Sequence, residues 1–178
     1  MKDVTGSVLM LSGPVGAGKT TVSKLLIPML PGAWAYLDGD TFWSFMVKNE
    51  HLPRHHNLQL IMRSMTAAAK PLARGGFNVL LDFSFPPEFI PGAQKILKEV
   101  PLNFVCLLPP IAVCATRAAD RADGKIEDYS VYRSFYTLFQ NTRAPQITNG
   151  EANAAKIAEL VTEGFTSNRF RVLARPGS

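Results

Sequence analysis

Residues 13–20 read Gly-Pro-Val-Gly-Ala-Gly-Lys-Thr, and no other stretch constrains what this chain can fold into as tightly. They match G-x-x-x-x-G-K-[ST] directly after the apolar run Val8-Leu9-Met10-Leu11. A buried strand delivers such a loop, and its glycines let backbone N–H groups turn inward around a phosphate. The residues after it continue as a helix whose positive end faces the anion. On this reading Gly13, Pro14, Val15, Gly16, Ala17, Gly18, Lys19, Thr20 and Thr21 cradle the phosphates of ATP. Lys19 reaches the terminal phosphates, and the Thr20 hydroxyl holds Mg²⁺.

With 178 residues, 47% of them hydrophobic, the chain has apolar surface for one core and is short for two typical domains plus a linker. Residues 1–178 are therefore expected to form a single domain. The net charge of +5 comes from scattered basic residues. A protein whose ligands are polyphosphates has its own use for cations, and no nucleic-acid partner is expected. Cys106 and Cys114 lack metal-ligand spacing and read as small buried hydrophobes in a reducing compartment. Met1 to Gly6 is short and polar, no apolar stretch approaches bilayer-spanning length, and a cytoplasmic location without membrane contact is expected. The sequence specifies no oligomeric state.

Apolar runs alternate with helix-period segments, the pattern of a parallel sheet with crossover helices. Strands are predicted at about 7–12, 34–38, 77–82, 102–108 and 145–148. Helices fill about 19–30, 41–48, 57–74, 88–99, 111–121, 128–141 and 151–163. The fold class is α/β: a three-layer α/β/α phosphate-loop NTPase fold on five parallel strands. Residues 164–178 lose clear periodicity and read as a docked or partly frayed tail.

Ligands of an open parallel sheet collect beyond the carboxyl ends of its strands. The second strand ends Tyr36-Leu37-Asp38-Gly39-Asp40. In an extended segment residues i and i+2 project to one side, so both acids are expected at the reacting centre, Asp40 as the base for an alcohol acceptor. The competing reading is an Asx turn in which Asp40 caps a helix starting at Thr41. The third strand ends in Asp82, the form of an acid that holds Mg²⁺ or its waters, with Asp38 as the other metal candidate. Arg117, Arg121 and Lys125 recur at four-residue spacing and are expected along one helix face as a lid over ATP, about 117–127. Solvation is the bland alternative.

The acceptor region, about 41–70, carries Phe42, Trp43, Phe45 and Met46, then His51, Arg54, His55, His56 and Arg63. No carboxylate stands at ligand spacing from the histidines, and zinc is not expected. With Phe83 and Phe85, the aromatic group suits an acceptor with an apolar body and one reactive hydroxyl, core packing being the general default for such residues. Arg54 and Arg63 weigh the other way, since either suits a carboxylate or phosphate.

These residues resemble the nucleoside-monophosphate-kinase-like branch of phosphate-loop kinases. Asp38 and Asp40 match the Asp-x-Asp of gluconate and shikimate kinases. Leu80-Leu81-Asp82, and Arg117 with Arg121, resemble adenylate kinases, which implies adenine stacking by Arg117 and phosphate contact by Arg121. Pro86-Pro87 stands where those kinases carry an acceptor-phosphate arginine. Leu30-Pro31, Trp34, Asp40 and Met46 are similar in order and spacing to chloramphenicol phosphotransferase and its tunicamycin-resistance-type relatives. That resemblance implies Asp40 as catalytic base on an acceptor hydroxyl, while the loop motif assigns Lys19 and the lid reading Arg121 as the catalytic cations. Asp38 is an acid that family lacks, and one Asp rather than two ends the third strand. The chain is thus expected to be an ATP- and Mg²⁺-dependent kinase of a small-molecule hydroxyl. A toxin-type or nucleotide kinase and an ATP-dependent switch protein are the alternatives. Asn-Lys-x-Asp, which specifies guanine, is absent.

Overall fold

A computed structural model describes residues 5–47, 53–122, 124–140, 142–148 and 153–173. Strands β1 (Val8–Ser12), β2 (Trp34–Asp38), β3 (Asn78–Asp82), β4 (Leu102–Leu107) and β5 (Gln146–Ile147) form one sheet in the order β2-β3-β1-β4-β5. Every pairing in it is parallel. The helices are α1 (Lys19–Leu26), α2 (Gly39–Ser44), α3 (Arg54–Arg74), α4 (Ile90–Leu97), α5 (Ile111–Ala119), α6 (Arg133–Gln140) and α7 (Ala154–Thr166).

Side-chain alternation along the central strands divides the core in two. Leu9 and Leu11, with Leu80, Val105 and Leu107, pack against Val22 and Leu26 of α1 and Ile157 and Val161 of α7. Val8 and Met10, with Val79, Leu81, Phe104 and Cys106, pack on the opposite layer through Met65, Leu97, Cys114 and Phe139. Strands β1 and β4 are covered on both faces and buried at every position, and they are apolar apart from Ser12 and Asn103. Each fully buried aliphatic side chain contributes about 1.5–3 kcal/mol, so this double core holds the strand ends in register. The predicted three-layer α/β/α architecture is the one observed.

Several boundaries differ for local reasons. Pro28 tightens the end of α1 into a 3₁₀ turn at Ile27–Met29. The expected helix 128–141 divides into a 3₁₀ turn at Tyr129–Tyr132, capped by Asp128, followed by α6. Asn153 caps α7 by accepting from the Lys156 N–H at 2.8 Å, and the helix runs on to Thr166. The predicted start of that helix at 151–152 lies outside the described residues, as do His51 and position 123 of the expected lid. The tail is docked as far as it is described. The Phe104 N–H donates to the Phe170 carbonyl and the Val172 N–H to the Leu102 carbonyl, both at 2.9 Å. This lays the segment antiparallel on β4 beside β5, with Phe170 buried in the core. No helix among the described residues is long and apolar enough to cross a membrane.

Candidate active site

Strand register brings the acids and the loop to one edge. Leu11 of β1 pairs with Asp82 of β3, and Asp82 pairs directly with Asp38 of β2. The loop then turns through positive φ at Gly13, Gly16 and Gly18. At Gly16 a side chain is excluded twice over, because φ is +79° and a Cβ would fall on the Cys114 carbonyl oxygen. Helix α1 starts without a side-chain cap and without an acid in its first turn. Its amide donors are therefore left for an anion.

The Lys19 ammonium sits over this loop, donating to the Gly13 and Pro14 carbonyls at 3.1 Å each. Burial pushes its pKa down, opposed by the charges of Asp82 and Asp40 and reinforced by Arg121. Burial pushes the Asp82 carboxyl up, against the pull of Lys19 and of the Tyr36 hydroxyl, which donates to Asp82 Oδ2 at 2.9 Å. Sequence reasoning passed over Tyr36. The signal for it was the period-2 alternation that puts Tyr36 and Asp38 on one face of β2.

Asp38 and Asp40 do not form the extended pair that their spacing predicts. The chain turns helical at Gly39, so Asp40 lies in the first turn of α2. The cap falls to Asp38 instead: its carboxylate accepts from the Asp40 N–H at 3.3 Å, the Thr41 N–H at 3.1 Å and the Thr41 hydroxyl at 2.9 Å. Gly39 is required here, since a Cβ would meet the Phe83 ring. The lid expectation also needs correction. Helix α5 ends at Ala119, so Arg117 is helical while Arg121 and Lys125 are not, and the three do not share a helix face. Arg117 Nη1 donates to the Ala17 carbonyl at 3.4 Å, and the Tyr129 hydroxyl donates to the Val15 carbonyl at 2.6 Å. The segment after β4 is thereby tied to the phosphate loop.

Two cavities meet at this edge. One, of about 770 Å³, runs over Gly16, Gly18, Thr21, Arg117 and the start of α7. The other, of about 460 Å³, is lined by Asp38, Trp43, Arg54, Leu58, Asp82, Phe83, Lys125, Tyr132 and Phe135, among others. Lys19, Thr20, Asp40 and Arg121 line both. Of the expected apolar wall, Trp43 and Phe83 reach the second cavity. Phe85 is wholly in the core, Phe42 and Met46 pack on the core edge, and Phe45 is 67% exposed. The wall is completed by Leu58, Ile126, Tyr132 and Phe135, which come from distant segments that no local pattern connects. Both arginines of α3 are solvent-exposed, but Arg54 lines the cavity and Arg63 does not.

Among the described residues no cluster of three or more His, Cys, Asp or Glu side chains makes a metal cage. Mg²⁺ does not require one, because it keeps several waters and binds through one or two protein oxygens together with substrate phosphates. The Thr20 hydroxyl and the buried Asp82 carboxylate, which line one cavity, fit that donor set.

A glycine loop opening an uncapped helix, set at the carboxyl edge of a parallel β2-β3-β1-β4-β5 sheet, defines a phosphate-loop kinase fold. The family model described as chloramphenicol phosphotransferase-like protein matches residues 6–134, and the chain belongs to that family. A curated guanylate kinase of Nitrobacter winogradskyi is 29% identical over 145 residues, 66% of this chain and 64% of that protein. The match thus spans less than two thirds of that relative's length. The APS kinase of Mycobacterium tuberculosis, in complex with AMPPNP and APS, matches with a TM-score of 0.69 at 19% identity, over 91% of this chain and 98% of its own. The tunicamycin resistance protein of Deinococcus radiodurans matches with a TM-score of 0.64 at 16% identity, over 96% and 99% of the two chains. At such identities both structures speak to the fold alone.

Proposed function

We propose that this protein moves the γ-phosphoryl group of ATP to a hydroxyl of a small molecule. The observation that carries the reading is the junction: Lys19, Thr20, Asp40 and Arg121 stand where the two cavities meet. Phosphoryl transfer asks a protein mainly for alignment and charge, so a base and two cations at the meeting point of two substrate cavities suit it. The larger cavity takes ATP, with its phosphates on the loop and Arg117 at the nucleotide. The smaller takes the acceptor. Asp40 orients the acceptor hydroxyl and receives its proton as that oxygen bonds to the γ-phosphorus. The bond from phosphorus to the bridging oxygen breaks, and ADP leaves. Lys19 and Arg121 offset charge on the oxygens of the transferred group. Thr20 and Asp82 would hold Mg²⁺, which supplies further neutralisation of the phosphates. Asp38 fixes Asp40 through the cap of α2, and a direct place for Asp38 in the metal shell is the competing role. Residues 1–178 act as one kinase domain on this reading, since α7 closes over α1.

The test is incubation with γ-labelled ATP and Mg²⁺ against pools of aromatic alcohols, antibiotics, hydroxy acids and GMP. Label on a carbon-bound oxygen supports the reading. Label on the phosphate of GMP would reassign the chain to nucleotide kinases, and label in inorganic phosphate alone would make it a nucleotide-dependent switch.

A further inference from the structure

The acceptor cavity holds a cation that the transfer step does not use. Arg54, the first residue of α3, lines the cavity, and its guanidinium lies 5.8 Å from the Trp43 ring centroid and 5.5 Å from that of Tyr132. Helix α2, helix α3 and the 3₁₀ turn at Tyr129–Tyr132 thus converge on one side chain. No hydrogen bond or ion pair among the described residues engages it. Two other cations are held by acids: Arg74 pairs with Glu99 at 3.4 Å and Lys125, which lines the same cavity, with Glu127 at 3.3 Å. Aromatic rings take the faces of a guanidinium and leave its in-plane N–H fork available, a shape that matches two oxygens of a carboxylate or phosphate. Arg54 is solvent-exposed, and the two flanking rings restrict the rotamers open to it.

We propose that Arg54 is the anion-binding corner of the acceptor site, an inference that rests on the transferase reading above. The acceptor is then an aromatic or apolar molecule that carries one carboxylate or phosphate besides its reactive hydroxyl. Trp43 follows Asp40 by three residues on α2, which sets its ring and that carboxylate near one face. A hydroxyl at Asp40 and an anion at Arg54 would fix two ends of one molecule along Trp43. Leu58, Phe83, Ile126 and Phe135 enclose its apolar body.

The experiment measures binding to the full chain in the presence of AMPPNP and Mg²⁺. The probes are 3-phenylpropane-1,2-diol, its 1-phosphate, 3-phenyllactate and gluconate. At least one of the two aromatic anions should bind about tenfold or more tighter than the neutral diol, and gluconate should bind weakly. Whichever aromatic anion leads identifies carboxylate or phosphate as the charged group. Arg54→Met should erase the anion preference while leaving diol and AMPPNP affinity unchanged, and Arg54→Lys should keep part of it. Four outcomes overturn the proposal: equal binding of the diol, absence of binding by the whole panel, a preference that survives Arg54→Met, or an equal loss for all ligands in that variant. Anion preference with no label passing from ATP to any bound probe would instead leave the corner standing and remove the transferase reading.

Discussion

Replacing Asp38 by asparagine should leave the protein working, whereas alanine should loosen the helix that carries Asp40. The Asp38 carboxylate accepts three hydrogen bonds at the start of α2, two from backbone N–H groups and one from the Thr41 hydroxyl. An asparagine carbonyl in the place of Oδ2 keeps the bonds from the Thr41 N–H and hydroxyl and gives up only the longest one, from the Asp40 N–H, and the two residue types rank equally as caps. Losing the charge removes a favourable interaction with the helix terminus, about 0.3–1 kcal/mol. It also removes repulsion from Asp82, the direct cross-strand partner of Asp38. These terms oppose each other, so Asp38→Asn should melt within about 1 °C of the parent. Alanine leaves the amides without a cap and costs about 1 kcal/mol, a shift of roughly 2–4 °C for a domain of this size. Displacement of Asp40 by even an ångström would add a rate loss on the order of 10²-fold. Thermal melts, kcat and a Mg²⁺ titration on both variants decide the matter. A stable Asp38→Asn protein that is as inactive as Asp38→Ala and needs more Mg²⁺ would refute the capping argument and place Asp38 in the metal shell.

Lys19→Ala should remove ATP binding and transfer while circular dichroism stays that of the parent, because the ammonium bridges only loop carbonyls; equal activity would show that the loop is not used. Arg121→Ala should lower kcat by roughly 10³-fold or more with a much smaller rise in KM for ATP, since on the proposed mechanism its cation acts on charge developing during transfer. A change confined to KM would make Arg121 a ground-state binding group. Burial pushes the Cys106 thiol up to about 12 from an ordinary 9.0, so the folded state keeps a proton that the unfolded chain releases. That stabilisation is fully present below about pH 9 and is lost as pH rises toward 12. A disulfide reagent at pH 8 should therefore modify Cys106 only as fast as the protein unfolds, and rapid labelling of the native state would contradict the burial.

The apolar runs at 8–11, 79–81 and 104–108 revealed the sheet, because strands covered on both faces show little polar alternation. The loop motif was equally legible, being a contiguous pattern with a local mechanism. What the sequence did not show depends on where chain direction changes. Both acids do line the smaller cavity, but not as the extended i, i+2 pair, because α2 begins at Gly39, where the absent side chain lets the backbone pass close to Phe83. Four-residue spacing misled at Arg121 because it cannot tell that α5 stops at Ala119. The contact of Tyr36 with Asp82 and the rings around Arg54 join residues brought together only by strand register and by packing between separate segments.

Asp40→Asn is the most direct test of the account, because it removes the proposed proton acceptor with little change in shape at the point where the two cavities meet. ATP affinity and the thermal midpoint should stay at parental values, while single-turnover transfer of γ-label to an acceptor hydroxyl falls by about 10²-fold or more. Transfer at the parental rate in that variant would contradict Asp40 as the base and the reaction built around it.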